Sequence, residues 1–303
     1  VITRNTSPDL SFDRSINPYR GCEHGCIYCF ARPTHAYLGL SPGLDFETKL
    51  VARPEAPSAL ERELSARAYK PEVIAIGTNT DPYQPIEKEH RIMRRILEVL
   101  RDHSHPVAIV TKGTLIERDI DILGEMGRKG LVRVGISVTT LDPKVSRLME
   151  PRVPSPARRL GTIRRLSDAG CPVGVMVSPV IPALTDHELE SILEASSDAG
   201  AIAASWIMLR LPMEVSELFR EWVEKHYPDR AARIMGRVRD LHGGKDYDPE
   251  WGRRMRGRGP FAQLVSHRFA LACKRLGLQT DLPPLDVTQF RVPSKPGDQL
   301  SLF

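Results

Sequence analysis

Short runs of apolar and β-branched residues alternate with longer amphipathic stretches along most of the chain. Each apolar run is strand-sized and is followed by helical periodicity, which is the pattern of repeated β/α units around a parallel sheet. We therefore expect an α/β protein whose six units form a partial, TIM-like (β/α)6 barrel. The predicted strands lie near residues 15–19, 73–76, 107–110, 132–138, 173–177 and 205–208.

The pattern changes after the sixth predicted strand. The sequence then predicts helices without strands, interrupted by a loop of aromatic and arginine residues, until prolines and polar residues dominate near the end. Ligands of parallel β/α sheets bind at the carboxyl ends of strands, so residues directly after each strand are candidates for a site. We divide the chain into an N-terminal extension (1–14), a partial barrel (15–210), a helical extension with the basic aromatic loop (211–281) and a flexible tail (282–303).

The composition narrows the class of protein. With 303 residues and 41% hydrophobic content, the chain can bury one large core, and no apolar run approaches the length that spans a bilayer. The formal net charge of +5 and the pI near 9.0 suit a polyanionic partner without requiring one. We expect a cytoplasmic protein without membrane contact, trimmed from a longer sequence because it starts at Val1 rather than Met.

Three of the five cysteines lie within eight residues, directly after the first predicted strand. Cys22, Cys26 and Cys29 form a C-x3-C-x2-C arrangement, and such a crowded set does not indicate disulfides. Three thiolates on one loop can hold three irons of a [4Fe-4S] cluster and leave the fourth iron open for a chelating ligand. The alternative is a zinc site completed by His24 or His35, although zinc ligands usually come as two separated pairs.

This arrangement, with aromatic Tyr28 just before the last cysteine, resembles the motif of the radical SAM superfamily. Members of that family bind the amino and carboxylate groups of S-adenosylmethionine (SAM) at the open iron. They reduce its sulfonium to give a 5′-deoxyadenosyl radical. The resemblance implies a barrel of the radical SAM type, a [4Fe-4S] cluster and SAM as cofactors, and an electron donor such as flavodoxin or ferredoxin.

Three further segments, GTNTDPYQPIE, IVTKG and GISVTTLD, resemble the spore photoproduct lyase group, often described as DNA repair photolyase-like, over about residues 10–210. An ammonium group suits a carboxylate, and short hydroxyls suit a ribose. Each matching residue also has a purely structural interpretation, in a capped turn, a solvated loop or a strand. The resemblance implies contacts to adenosine by Tyr28, to the methionine end by Thr80 and Asp81, to the carboxylate by Lys112 and to the ribose by Ser137.

The chain departs from this group in one respect. Spore photoproduct lyase carries a cysteine in the loop after the second strand, and that cysteine returns a hydrogen atom to the product radical. The corresponding loop here reads GTNTDP and contains no cysteine. We consider Tyr83 as a substitute hydrogen donor, because a tyrosyl O–H can be abstracted. The alternative is that its ring only packs in a turn.

A basic aromatic loop interrupts the helical extension. Guanidinium groups suit phosphates, and aromatic rings can stack on a displaced base. Acidic residues in the same loop favour instead a solvated surface. The candidate nucleic-acid-binding residues are Tyr247, Trp251, Arg253, Arg254, Arg256 and Arg258.

The last five residues, QLSLF, resemble the peptide by which bacterial repair and replication proteins dock on the DNA sliding clamp. Such a peptide places apolar side chains in a pocket while its glutamine forms a hydrogen bond at the edge. The alternative is that the tail folds back onto its own domain. The residues predicted to contact the clamp are Gln299, Leu300, Leu302 and Phe303.

Three functional hypotheses follow. The first is a radical SAM enzyme that abstracts hydrogen from a nucleotide in damaged or modified DNA, in a lyase-like repair reaction. The second is modification of RNA or of a peptide by the same radical. The third is a non-catalytic iron-sulfur or zinc protein that binds nucleic acid.

Overall fold

The computed structural model describes residues 1–294 of the chain. Its strands within that range are β1 (Thr3–Arg4), β2 (Arg14–Ile16), β3 (Tyr19–Arg20), β4 (Val51–Ala52), β5 (Ile74–Ile76), β6 (Val107–Thr111), β7 (Val132–Ser137), β8 (Val173–Val180) and β9 (Ala203–Met208). Seven of them form one sheet in the order β1-β2-β5-β6-β7-β8-β9. Neighbours from β2 to β9 run parallel, whereas β1 and the separate β3–β4 pair are antiparallel.

Helices connect and cover these strands. Among the described residues, no helix combines the length and apolarity that crossing a lipid bilayer would need. The helices in this range are α1 (Asp45–Thr48), α2 (Ala56–Leu64), α3 (Glu87–His90), α4 (Ile92–Asp102), α5 (Ile120–Arg128), α6 (Pro143–Met149), α7 (Pro156–Asp168), α8 (Leu189–Asp198), α9 (Glu214–His226), α10 (Pro228–Leu241) and α11 (Gly259–Leu276).

The six parallel strands confirm the predicted α/β architecture of a partial, TIM-like barrel. Each apolar run lies on or overlaps one of β2 and β5 to β9. All three residues of β2 and of β5 are buried, and β8 is buried at six of its eight positions. Strands covered on both faces carry nearly continuous apolar sequences, which is why these runs were recognisable.

The helices bury one apolar face against this sheet. In α4, the apolar positions recur at intervals of three and four residues, so they share one side of the helix. The buried residues of α4 are Ile92, Met93, Ile96, Leu97 and Leu100.

The N-terminus of α6 is capped by Asp142, whose carboxylate accepts hydrogen bonds from Lys144 N at 2.7 Å and Val145 N at 3.3 Å.

The helical extension has two parts with different neighbours. Phe219 of α9 and Ile234 of α10 belong to an apolar core that also contains Tyr28 of the cysteine loop. The last helix, α11, packs against α8 on the outside of the barrel, where the ring of Phe269 lies 6.2 Å from that of Trp206. The extension therefore supports both the cysteine loop and the outer face of β9.

The beginning of the predicted flexible tail is packed, which corrects the prediction for residues 282–291. Asp286 N donates to the Gly130 carbonyl at 3.0 Å, and Arg291 N donates to the His103 carbonyl at 3.0 Å. Both carbonyls precede strands, so this segment crosses the amino-terminal ends of β6 and β7. Backbone groups make these contacts, and a polar, proline-rich composition does not reveal them. The clamp-binding prediction concerns residues outside the described range, namely Gln299, Leu300, Leu302 and Phe303.

Candidate active site

The cysteine loop follows β2 and is held in shape by backbone hydrogen bonds, one of them to α1. Cys22 N donates to the Phe46 carbonyl at 2.8 Å, and Cys29 N donates to the Cys26 carbonyl at 3.2 Å. Gly21 has a φ of 76°, and a Cβ atom there would lie 2.9 Å from the Phe46 carbonyl oxygen. Glycine is required at this position because both the conformation and the space exclude a side chain.

The three cysteines line a cavity of about 440 Å³, together with residues that follow β5, β6 and β9. Burial raises the pKa of all three thiols, to about 12 for Cys26. Within residues 1–294, no three His, Cys, Asp or Glu side chains converge on one metal-ion position. A cluster bound through three thiolates needs one sulfur for each of three irons, so three thiols of one loop at one cavity fit such a cluster.

The two histidines considered as zinc ligands both have other partners. His24 lines the cavity, and its Nδ1 lies 3.4 Å from Asp81 Oδ2. His35 Nε2 lies 3.0 Å from the Lys49 carbonyl oxygen, and its ring packs edge-on against Phe46 with centroids 5.3 Å apart. The histidines therefore support the loops around the cysteines.

The fold brings all five predicted SAM-binding residues to this one cavity. Lys112 Nζ lies 5.8 Å from the centroid of the Tyr28 ring. Burial acts to lower the pKa of Lys112, but the acidic groups of Cys26, Glu150 and Asp81 outweigh it and the pKa is raised. An ammonium group that stays charged at the wall of the cavity suits a carboxylate ligand. The five residues are Tyr28, Thr80, Asp81, Lys112 and Ser137.

Asp81 organises the loops of the cavity with its carboxylate. Its Oδ1 accepts hydrogen bonds from the Thr111 hydroxyl at 2.6 Å and from Tyr83 N at 2.9 Å, and its Oδ2 accepts one from Lys112 N at 2.7 Å. Burial acts to raise the pKa of Asp81, but His24 and these donors outweigh it and lower the pKa to about 2. The Asp81 carboxylate therefore joins the loop after β5 to the end of β6.

A comparison with known families decides the class of the protein. A family model described as the radical SAM superfamily matches residues 16–195, which is more than half of the chain. The chain belongs to the radical SAM superfamily. Membership implies a [4Fe-4S] cluster and SAM as cofactors, in agreement with the three cysteines and the cavity beside them.

Relatives of this radical SAM protein occur in bacteria and archaea. An uncharacterized protein of Mycobacterium tuberculosis is 37% identical over 263 residues, a match that covers 86% of this chain and 76% of that protein. An uncharacterized protein of Methanocaldococcus jannaschii is 25% identical over 215 residues, covering 71% of this chain and 76% of the relative.

Among solved structures, the radical SAM fold seen here is similar to that of spore photoproduct lyase. A variant of that enzyme matches with a TM-score of 0.65 and 17% identity, covering 92% of this chain and 78% of the enzyme. Spore photoproduct lyase complexed with dinucleoside spore photoproduct matches with a TM-score of 0.62 and 16% identity, covering 91% and 78%. SuiB of Streptococcus suis, bound to SAM, has a TM-score of 0.55 and 12% identity, covering 88% and 49%. At these identities the likeness is one of fold.

Two charged residues of the radical SAM site were missed by sequence reasoning. Glu150 and Arg159 are both fully buried, and Arg159 Nη2 lies 2.7 Å from Glu150 Oε2. The Tyr28 hydroxyl and the Thr139 hydroxyl donate to Glu150 Oε1. This pair therefore fixes the ring that contacts Lys112. Glu150 follows α6 and Arg159 lies in α7, and no local pattern distinguishes them from exposed charges.

The position of Tyr83 corrects the proposed hydrogen-donor role. Its side chain is 2% exposed and belongs to the main apolar core, and it does not line the radical SAM cavity. Its hydroxyl donates to Asp119 Oδ2 at 3.2 Å, and burial raises its pKa. The ring therefore packs between the loops after β5 and β6, where Gly113 leaves room for its backbone.

Part of the basic aromatic loop reaches the mouth of the cavity. Arg254 lines the cavity, and Trp251, three residues earlier, is 56% exposed. Arg253 forms an exposed ion pair with Glu250 at 2.6 Å. Of these three residues, Arg254 lines the cavity, whereas Trp251 and Arg253 lie at the exposed surface of the loop.

The other three predicted nucleic-acid contacts point elsewhere, which corrects the view of this loop as one surface. The Arg256 guanidinium covers the ring of Trp206 on the outer side of β9, 4.4 Å from the centroid. The ring of Tyr247 packs beside His242 with centroids 5.9 Å apart, and the Arg258 guanidinium lies against the backbone of a neighbouring turn. None of these three residues lines the cavity.

The N-terminal extension forms part of the same mouth. Ser7 and Phe12 line the cavity beside the loop. Arg254 donates to Asp9 Oδ2 at 2.5 Å and to Ser7 Oγ at 2.7 Å, and Gly252 N donates to Asp9 Oδ1 at 2.7 Å. The extension and the loop are thus joined by charged hydrogen bonds at the entrance.

Proposed function

We propose that this radical SAM protein is an enzyme that abstracts a hydrogen atom from a nucleotide of damaged or modified DNA. The observation that carries the proposal is one continuous cavity. It is lined by the three cysteines, by the five SAM-binding candidates and, at its mouth, by Arg254 of the basic aromatic loop. A substrate entering at the mouth would meet the cofactors inside.

The residues of the cavity prepare it for SAM. The bound cluster and SAM would supply reductive cleavage to a 5′-deoxyadenosyl radical. Lys112 is oriented by its backbone hydrogen bond to Asp81 and offers a positive charge on the cavity wall to the SAM carboxylate. Tyr28 is held by Glu150 and offers a ring face for the adenosine.

Two observations support DNA as the substrate. The fold is similar to that of spore photoproduct lyase, one structure of which is complexed with dinucleoside spore photoproduct. The loop that brings Arg254 to the cavity also carries Trp251, whose ring is 56% exposed and suits stacking on a base. Modification of RNA or of a peptide is the competing outcome for the experiment below.

The final hydrogen transfer differs from that of spore photoproduct lyase in this proposal. Among the described residues that line the cavity, the cysteines are Cys22, Cys26 and Cys29, all three assigned to the cluster. The loop after β5 offers Thr78, Asn79 and Thr80, whose hydroxyl and amide groups are poor hydrogen-atom donors. We therefore expect a product radical to be quenched from outside the chain or to react onward.

The decisive experiment is anaerobic turnover of protein with a reconstituted cluster. Dithionite replaces the flavodoxin or ferredoxin that we expect as the natural donor, and 5′-deoxyadenosine is quantified with and without ultraviolet-irradiated DNA, RNA or peptide. We expect irradiated or modified DNA to stimulate 5′-deoxyadenosine formation and to transfer deuterium from labelled nucleotides into it. Stimulation by RNA or peptide alone would contradict the DNA assignment, and colourless protein containing zinc would contradict the enzyme itself.

We also propose that the C-terminal peptide docks on the DNA sliding clamp. The packed segment of the tail crosses the amino-terminal ends of the strands, whereas the cavity lies at their carboxyl ends. Pull-down of the clamp by the full chain and by a variant lacking residues 299–303 tests the docking proposal, and equal retention by both would contradict it.

A further inference from the structure

Arg210 lies just beyond β9 and lines the cavity. Its guanidinium carbon is 4.3 Å from the centroid of the Phe30 ring, so the two groups stack. Phe30 directly follows Cys29 and is 43% exposed. Both residues line the cavity, so the stack joins the end of the cysteine loop to the end of β9.

Arg210 brings a positive charge to the lining of the cavity. Within residues 1–294 its guanidinium has no hydrogen-bonded or ion-paired partner, and burial lowers its pKa. The nearby carboxylate of Asp9 is already bound by Arg254 and by Gly252 N. A half-buried guanidinium whose five donors have no protein partner can exchange bound water for an anionic ligand.

The other cations that line the cavity have partners. Lys112 lies among the acidic groups of Cys26, Glu150 and Asp81, and Arg254 holds Asp9. Arg210 thus differs from both, because its donors still face a ligand site. A planar guanidinium whose orientation is restricted by stacking on a ring is well suited to bidentate binding of a phosphate.

We propose that Arg210, stacked on Phe30, binds a backbone phosphodiester of the substrate strand next to the nucleotide that reacts. This inference rests on the proposed function, because it assumes a nucleic-acid substrate. It assigns to Arg210 the recognition of the anion and to Phe30 the positioning of the guanidinium. The phosphate would then lie on the Arg210 side of the cavity, apart from the SAM carboxylate at Lys112.

The experiment compares two probes that differ only in charge. These are a thymidine dinucleotide with one phosphodiester and its uncharged methylphosphonate analogue, each titrated into full-length, cluster-reconstituted protein with SAM and without reductant. We expect the phosphodiester to bind about 10- to 100-fold more tightly, as charge-assisted hydrogen bonds allow. Arg210→Gln should bind both probes equally, and Arg210→Lys should keep part of the preference.

Arg237 of α10 provides a matched control. Its guanidinium lies 5.8 Å from the centroid of the Phe261 ring of α11, and neither residue lines the cavity. Arg237→Gln removes a stacked arginine and should keep the full preference for the phosphodiester. An unchanged preference in Arg210→Gln would overturn the assignment of Arg210 while leaving the proposed function in place.

Two further outcomes separate the inference from the proposal on which it rests. If Arg210→Gln lowers SAM affinity as much as it lowers phosphodiester affinity, Arg210 serves SAM and the inference fails. If the unsubstituted protein binds neither probe but still forms 5′-deoxyadenosine from SAM, the nucleic-acid function fails, and the role of Arg210 fails with it.

Discussion

Replacing Glu150 by glutamine removes one charge from the interior without changing the shape of the side chain. The Glu150 carboxylate is bound by Arg159 at 2.7 Å, by the Thr139 hydroxyl at 3.0 Å and by the Tyr28 hydroxyl. Burial acts to raise the pKa of Glu150, but Arg159 and Lys112 outweigh it and lower the pKa. The carboxylate is therefore ionised at neutral pH, and Glu150→Gln leaves Arg159 without its counter-ion.

The expected loss follows from the complete burial of both partners. Breaking a buried ion pair from one side costs about 3–5 kcal/mol of the free energy of unfolding, because the remaining charge stays desolvated. Glu125 and Lys129 form a pair of the same 2.7 Å length, but their side chains are 42% and 51% exposed. Glu125→Gln should cost only about 0–1 kcal/mol, so it is a matched control.

The assay is urea-induced unfolding of the metal-free protein under reducing conditions, followed by circular dichroism. If the unpaired Arg159 charge causes the loss, the double variant Glu150→Gln/Arg159→Met should recover most of it. A loss for Glu150→Gln no larger than that for Glu125→Gln would refute the reasoning. So would a double variant as unstable as the single one.

Three further predictions concern the cluster, the cofactor and the base of the barrel. Cys26→Ala should lose iron, sulfide and visible absorbance, because two thiolates cannot hold the cluster, whereas the buried Cys171 can be replaced by alanine without such loss. Lys112→Met should weaken SAM binding about 10-fold or more in equilibrium dialysis, and unchanged affinity would refute its role. Burial lowers the pKa of His105 from 6.5 to about 4. Between pH 6.5 and about 4, His105 is therefore protonated in the unfolded chain but neutral in the folded chain. Lowering the pH from 7 to 5 should therefore lower the free energy of unfolding by about 2 kcal/mol, as measured by urea titration. This loss should be absent in His105→Gln and fully retained in the control His187→Gln, whose side chain is exposed.

The sequence was sufficient for the parallel strands and for the cysteine loop. Val173–Val180 is apolar almost throughout because β8 is buried on both faces, and this property is local to the run itself. Cys22, Cys26 and Cys29 are close in the chain and thus necessarily close in space. Lys112 and Ser137 could be assigned to one cavity because parallel strands end at the same edge of a sheet.

The tertiary structure alone decided which charged and aromatic side chains face the cavity. Arg210 lines the cavity, and Glu150 and Asp9 hold the Tyr28 and Arg254 side chains that line it. None of the three has a distinguishing local pattern, since an isolated charge is found both at surfaces and in buried pairs. Tyr83 illustrates the same point for an aromatic residue, because its neighbour Asp81 lines the cavity while its own ring turns into the core.

The sequence by itself thus determined the elements and the order of the strand ends, because hydrophobic periodicity and chain proximity are local properties. Sequence-based prediction failed for residues 282–291, which have the composition of a flexible segment and yet form backbone hydrogen bonds to the carbonyls of Gly130 and His103. Sequence-based prediction also failed for the basic aromatic loop, in which Arg254 lines the cavity while Arg256 packs on Trp206. Contacts between residues far apart in the chain depend on how the elements pack, and only the folded structure decides them.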